Sequence, residues 1–308
     1  MPLRFSILTP TLNRRAMLWE AIASVKAQGW AEVEHIVADG GSIDGTLEML
    51  ASASNVRVLP GPDGGIYEGM NKAVAAARGD VVGWLNSDDL YTPRAFAIVA
   101  AAFEARPEVS AVCGSAQVSC GGVAERVYTS ECVADLSPGA LLIGPTLPNA
   151  WFFRRSVFDA VGLFDTNLSF AADSDFMQRF AKAGLQRATT PALLYNYRRH
   201  AGSATLHGAP EPVREDMLRL AEKWRNDDDP QVRIAARALE GRCRAMLALG
   251  ALRKGRVGDA ARQLSHAPCI TGGIADYMMR RIVPILRRRR FGEQPASLFS
   301  HGDRTNRS

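Results

Sequence analysis

A chain of 308 residues with 47% apolar content has room for one large α/β domain with an appendage, or for two modest domains, and can build a real core. Its net charge of +5 is unevenly spread: residues 1–210 carry 17 Lys and Arg against 20 Asp and Glu, a net of −3, while residues 211–308 carry 20 against 12, a net of +8. The first part is therefore excluded as a polyanion-binding surface, and no nucleic-acid partner is expected.

The N-terminus lacks a charged segment followed by an apolar run, and no stretch approaches the length of a spanning helix. Five cysteines, odd in number and without zinc-ligand pairing, read as reduced thiols. Together these point to a cytoplasmic protein.

In chain order, Phe5 to Thr9 reads as a strand broken by Pro10-Thr11-Leu12-Asn13. A helix from Arg14 follows, with Met17, Leu18, Ala21, Ile22 and Val25 on one stripe. Glu34 to Ala38 is a second strand closed by Asp39-Gly40-Gly41-Ser42, Asp44 opens a helix to about Ala53, and Val56 to Leu59 is a third strand. A Gly-rich turn then leads to a helix from Tyr67 to Arg78 and an apolar strand from Val81 to Leu85, which ends abruptly in Asn86-Ser87-Asp88-Asp89. Four strands alternating with helices before residue 90 predict a parallel sheet with right-handed crossovers.

Pro93 to Ala105 reads as a helix and Ala111 to Ser115 as a strand, while residues 116–150 show no clear period. Trp151 to Arg155 is strand passing into helix, Ala171 to about Gly184 is a helix, and Leu193 to Tyr197 is the last strand, leading to Arg198-Arg199-His200. The alternation ends at Pro210. Ala235 to Ala267 reads as a helical hairpin turning near Gly255, and its small-residue pattern loosely resembles a single tetratricopeptide unit. The segment 274–291 sets Ile274, Tyr277, Met278, Ile282, Ile285 and Leu286 among six arginines, a composition that suits an interfacial helix on an anionic membrane surface, kinked at Pro284. Residues 292–308 are polar and predicted to be disordered. The division expected is thus 1–208, 209–291 and 292–308.

Chemistry concentrates at the strand ends. Paired carboxylates closing a buried strand suit a hard cation that carries phosphates, although an Asp there can also cap the next helix. Thr9 to Asn13 and Asp39 to Thr46 contain neither G-x-G-x-x-G nor G-K-[ST], so dinucleotide and P-loop readings fail on their residues. A buried Asp39 can accept a hydrogen bond from a base N–H, or be ordinary turn chemistry. Asp173 and Asp175 can each be a helix cap or a proton acceptor. His200 can be structural, a metal ligand or a phosphate contact.

The order T-P-T-L-N, D-G-G-S-I-D-G-T, G-I-Y-E-G-M-N-K, N-S-D-D, G-L-F-D…A-D-S-D-F and Y-R-R-H-A-G-S, over roughly residues 4–205, closely resembles a family 2 glycosyltransferase. The G-I-Y-x-x-M-N-K and N-S-D-D variant is similar to the branch that makes bacterial surface polysaccharides. The resemblance implies a single GT-A, Rossmann-like, mostly parallel α/β domain, here with a C-terminal helical extension. It implies inverting transfer from a nucleotide-sugar, with UDP expected, to a glycan or lipid-linked acceptor, assisted by Mg²⁺ or Mn²⁺. Carried over residue by residue, Asp173 is the catalytic base. Asp89 and His200 bind the metal. Thr9, Pro10, Thr11, Asn13, Asp39, Gly41, Ser42, Asn71, Lys72 and Asp88 hold the donor. Gly40, Met70 and Pro148 depart from the pattern, standing where many members have Asp, Arg and His. A sugar nucleotidyltransferase would show a basic Gly-rich loop after the first strand, which Pro10 to Asn13 is not. A non-catalytic nucleotide-sugar-binding subunit would lack a metal or base residue, yet Asp89 and Asp173 are both present.

Overall fold

The computed structural model describes residues 2–130, 137–144, 148–203 and 211–266. The expected membrane-binding segment 274–291, the tail 292–308 and the division at 208 all lie outside those residues.

The first half alternates as its apolar pattern predicts. Strands β1 (Phe5–Thr11), β2 (Val33–Asp39), β3 (Val56–Pro60) and β4 (Val81–Trp84) are joined through helices α1 (Arg15–Lys26), α2 (Thr46–Ala51) and α3 (Ile66–Ala76). β1 and β4 are buried along their whole length, as strands covered on both faces must be. In order β3-β2-β1-β4 they run parallel, so all four carboxyl ends reach one edge. In register, Thr11 pairs with Asp39 and Asp39 with Pro60.

Beyond β4 the sheet is mixed. A short β5 (Leu90–Tyr91) and α4 (Ala95–Ala105) precede a hairpin of β6 (Ala111–Cys120) and β7 (Val123–Tyr128). A short α5 (Ala140–Ile143) and a 3-10 turn (Pro148–Ala150) lead into β8 (Trp151–Arg154), then α6 (Ser156–Val161), α7 (Ala172–Lys182) and β9 (Arg187–Arg198). The order continues β4-β8-β6-β9-β5, with β8 antiparallel to β4 and β6, and β9 parallel to β6. Two reversals restore direction, so β9 ends at the same edge as β1 to β4. That brings Arg198 and His200 to the residues that follow β4.

Segment 116–150, which shows no period in sequence, contains most of that hairpin. β7 is exposed at nearly every position, so it has no buried face to impose an alternation.

Three helices close the chain: α8 (Glu211–Trp224), α9 (Pro230–Arg253) and α10 (Val257–Ser265), with the hairpin turn at Gly255 as expected. They are continuous with the main core, since Leu220, Trp224, Ala236 and Leu239 join the cluster formed by Phe152, Phe153, Phe176 and Phe180. Gly139, at φ 87°, lets the start of α5 touch α9: a Cβ there would lie 2.8 Å from the Gln231 carbonyl oxygen. No helix among the described residues is long and apolar enough to cross a membrane.

Candidate active site

The carboxyl edge of β1 and β2 forms the first part of the site. Asp39 is buried, and its Oδ1 accepts hydrogen bonds from the Gly41 and Ser42 N–H groups at 3.0 and 2.8 Å. Gly41 adopts φ 100°, a conformation that glycine takes at little cost. The Ser42 hydroxyl accepts from the Asn13 N–H at 2.8 Å, and Asn13 Oδ1 accepts from the Ile43 N–H at 2.8 Å. The two loops therefore lock together. Asp39 Oδ2 and Thr11 Oγ1 remain buried without a partner. Such atoms are costly unless something supplies the missing bond.

Thr9 is placed differently from the expectation. Its side chain is inside the sheet, with Oγ1 2.9 Å from His35 Nε2, and lines no surface. Burial pushes the His35 pKa down to about 3, so that ring is neutral. Pro10 lies at the edge, its Cβ 3.6 Å from where a Cβ at Gly69 would be.

The second part follows β4, where two adjacent aspartates differ in exposure. Asp89, the expected metal ligand, is 3% exposed. Its Oδ2 accepts from Tyr195 Oη at 2.9 Å and Asn86 Nδ2 at 3.1 Å, and its Oδ1 from the Arg198 N–H at 2.8 Å. Both oxygens are engaged, and the carboxylate ties the β4 end to β9. Burial, then the neighbouring Asp88, push its pKa up. Asp88 carries the accessible carboxylate: Oδ2 lies 3.0 Å from His200 Nε2, with the two side chains 22% and 20% exposed. Arg198 fixes this junction by donating to the Asp88 carbonyl, to the Met17 carbonyl and to Glu20.

Among the described residues no three His, Cys, Asp or Glu side chains form a closed metal cage. One carboxylate and one imidazole do fit a cation that keeps waters and takes its other oxygens from phosphate. Arg14 borders the pair. Its guanidinium donates to the Gly202 carbonyl at 3.1 Å and has no carboxylate partner among the described residues. Sequence reasoning passed over Arg14, although it directly follows Asn13 in the T-P-T-L-N run.

Asp173 and Asp175, equivalent in sequence, separate at the start of α7. Asp175 is fully buried, held by Arg179 Nε at 2.9 Å, Lys223 Nζ at 2.9 Å and Trp224 Nε1 at 3.0 Å. It joins α7 to α8. Asp173 is only partly buried, accepts from the Ser174 N–H at 2.6 Å and receives a hydrogen bond from Tyr67. Burial raises its pKa to about 6, outweighing those bonds.

The G-I-Y-E-G-M-N-K residues open α3. Asn71 uses both ends of its amide on Phe164, donating to its carbonyl at 2.9 Å and accepting from its N–H at 3.0 Å. It holds the 163–165 loop. Lys72 Nζ donates to the Pro62 carbonyl at 2.9 Å and pairs with Glu68 at 3.3 Å. Met70 is 4% exposed, so this position faces the core and not a phosphate.

The mixed α/β sheet flanked by helices, with these side chains gathered at one edge, is of the GT-A type. Solved structures agree in fold. S. aureus TarS 1-349 in complex with UDP-GlcNAc superposes with a TM-score of 0.59 at 18% identity, covering 84% of this chain and 89% of that one. The mannosyltransferase PcManGT from Pyrobaculum calidifontis, in complex with GDP-Man and Mn²⁺, gives 0.59 at 18% identity, covering 96% and 89%. Against the longer chain in the crystal structure of S. aureus TarS, this chain covers 42% of that one.

Residues 6–180 match the model of the glycosyl transferase family 2, and the chain belongs to that family. It is a glycosyltransferase. It is 29% identical over 251 residues to an uncharacterized glycosyltransferase of Mycobacterium tuberculosis, Rv1514c, covering 77% of this chain and 90% of the relative. It is 30% identical over 200 residues to the PGL/p-HBAD biosynthesis glycosyltransferase of Mycobacterium bovis BCG, covering 63% and 73%. The O-antigen biosynthesis protein RfbC of Myxococcus xanthus is 29% identical over 213 residues, covering 66% of this chain and 16% of RfbC.

Proposed function

We propose that the enzyme moves a sugar from a UDP-sugar to an acceptor hydroxyl, with inversion, in the assembly of a bacterial surface glycan or glycolipid. The observation that carries this reading is the Asp88–His200 pair, 3.0 Å apart, at the edge where Asp39 keeps a buried oxygen free. Asp39 and Thr11 supply an acceptor and a hydroxyl for a base edge. Arg14 supplies a cation for the diphosphate. Asp88 and His200 would hold Mg²⁺ or Mn²⁺, whose chemistry is to neutralise the departing diphosphate.

Asp173 is the base. With a pKa near 6 it is largely ionised at neutral pH yet basic enough to take a proton from the attacking hydroxyl. Tyr67 and the Ser174 N–H hold the carboxylate in place meanwhile. The relatives' names, one in O-antigen and one in PGL/p-HBAD biosynthesis, support the substrate class, and a lipid-linked sugar is the acceptor we favour.

UDP release measured over a panel of acceptors, with Mn²⁺ and with EDTA, tests the reading. Asp88→Ala should abolish the metal-dependent rate, while Asp89→Asn should act chiefly through lowered stability. Full turnover by Asp88→Ala in EDTA would sink the metal-assisted form.

A further inference from the structure

Asp63, in the loop between β3 and α3, has no part in that reading, yet its carboxylate is wedged into the same edge. A Cβ built on Gly40 would lie 2.9 Å from Asp63 Oδ1, and one on Gly69 would lie 2.9 Å from Asp63 Oδ2. Only residues without a side chain at 40 and 69 admit the carboxylate in this position. The same Gly69 site is 3.6 Å from the Cβ atoms of Ala38 and Pro10, so Asp63 adjoins the last residues of β1 and β2. Its Oδ1 accepts one hydrogen bond, from the Gly65 N–H at 3.1 Å. No Lys, Arg or His pairs with it among the described residues.

The last residues of those two strands carry the unpartnered atoms already described, Asp39 Oδ2 and Thr11 Oγ1, in residues 1% and 6% exposed. An ionised carboxylate only accepts, so whatever completes this corner must bring N–H or O–H groups. It must also be uncharged there, because neither carboxylate is paired with a cation, the nearby Lys72 being held by the Pro62 carbonyl and Glu68, and the pair repels a phosphate. A nucleoside meets both conditions, with a base N–H and ribose hydroxyls. The diphosphate then extends toward Arg14 and the Asp88–His200 pair.

We infer that Asp63 is a specificity-determining residue that accepts a hydrogen bond from the nucleoside half of the donor, alongside Asp39. The inference rests on the nucleotide-sugar reading and adds a second reader to it.

Asp63→Asn is the discriminating variant. It keeps the volume that Gly40 and Gly69 accommodate and keeps an oxygen for the Gly65 N–H, so a purely structural Asp63 predicts no change. Calorimetric titration of wild type and variant with UDP, 2′-deoxy-UDP and inorganic pyrophosphate, each with Mn²⁺, reads the effect. Affinity for UDP should fall about tenfold or more, as expected for loss of a charge-assisted hydrogen bond, while pyrophosphate binding stays the same. If the ribose 2′-hydroxyl is the group read, the wild-type preference for UDP over its 2′-deoxy form disappears in the variant. If a base N–H is read, both nucleotides weaken together. Unchanged UDP affinity, tighter UDP binding, or an equal loss for pyrophosphate would overturn the inference and leave the nucleotide-sugar reading standing. A wild-type protein that binds no UDP would overturn both.

Discussion

At the scale of single residues, the site depends on small differences in burial between neighbours. Asp173 and Asp175 are two positions apart on one helix turn, yet Asp175 is enclosed by Arg179, Lys223 and Trp224 while Asp173 meets Tyr67. Asp173→Asn removes the proton acceptor and keeps the shape, so kcat should fall roughly 10²–10⁴-fold with donor affinity nearly unchanged. A variant as active as wild type would remove Asp173 from the base role. Tyr67 gives the finer test. Its hydrogen bond lowers the Asp173 pKa against the upward push of burial. The base works only when ionised, so activity should rise with pH through about 6. In Tyr67→Phe the Asp173 pKa rises, and the acid limb of the pH–rate profile should move to higher pH. An unmoved limb would show that the bond does not tune the base.

The elements β1 and β2 carry a pH liability that has nothing to do with catalysis. His35 is buried on β2 against Thr9 of β1, and burial holds its pKa near 3. The unfolded chain takes up that proton near pH 6.5, so the contribution to stability is complete above 6.5 and is lost as pH falls toward 3. The raised pKa of Asp173 works in the opposite direction between about 6 and 3.8, which partly masks the trend in the wild type. The difference between proteins isolates it. Between pH 6.5 and 5 the wild type should lose about 2 kcal/mol more than His35→Asn, read from urea unfolding midpoints. Parallel pH curves would refute the assignment.

The same strands show what a sequence can reveal about a site. The apolar runs of β1, β2 and β4 are buried on both faces and end in turn residues, so their ends were legible, and with them Thr11, Asp39 and the Asp88-Asp89 pair. Which of the two aspartates stays accessible was not legible. That choice depends on Tyr195 and the Arg198 N–H, more than 100 residues away, which reach Asp89 because β9 runs parallel to β6 at the same edge. Thr9 shows the same limit, since a hydroxyl at a strand end reads alike whether it faces a ligand or a buried His35. Asp63 gave no signal because its Gly-rich loop looks like any other turn, and its meaning lies in the space left at Gly40 and Gly69.

For the whole molecule, the junction between α7 and α8 matters most. Lys223 and Trp224 of α8 grip Asp175, two residues from Asp173, and the Asp216 carboxylate accepts from the Phe170 and Ala171 N–H groups that lead into α7. Trp224→Ala should cost about 3–5 kcal/mol, as expected for a large buried side chain. Because it loosens the support of Asp173, the proposed base, it should also lower kcat more than it raises KM. A chain ending at residue 203 should fail to melt cooperatively. Cooperative melting of that truncation at the wild-type midpoint would show the helices to be dispensable. The carboxyl-terminal helices share the core of the sheet and α7. In a chimaera that joins the first 203 residues to the helices of a relative, the donor half of the reaction could survive intact, while the acceptor half would depend on whether the foreign helix brings its own lysine and tryptophan to that one aspartate.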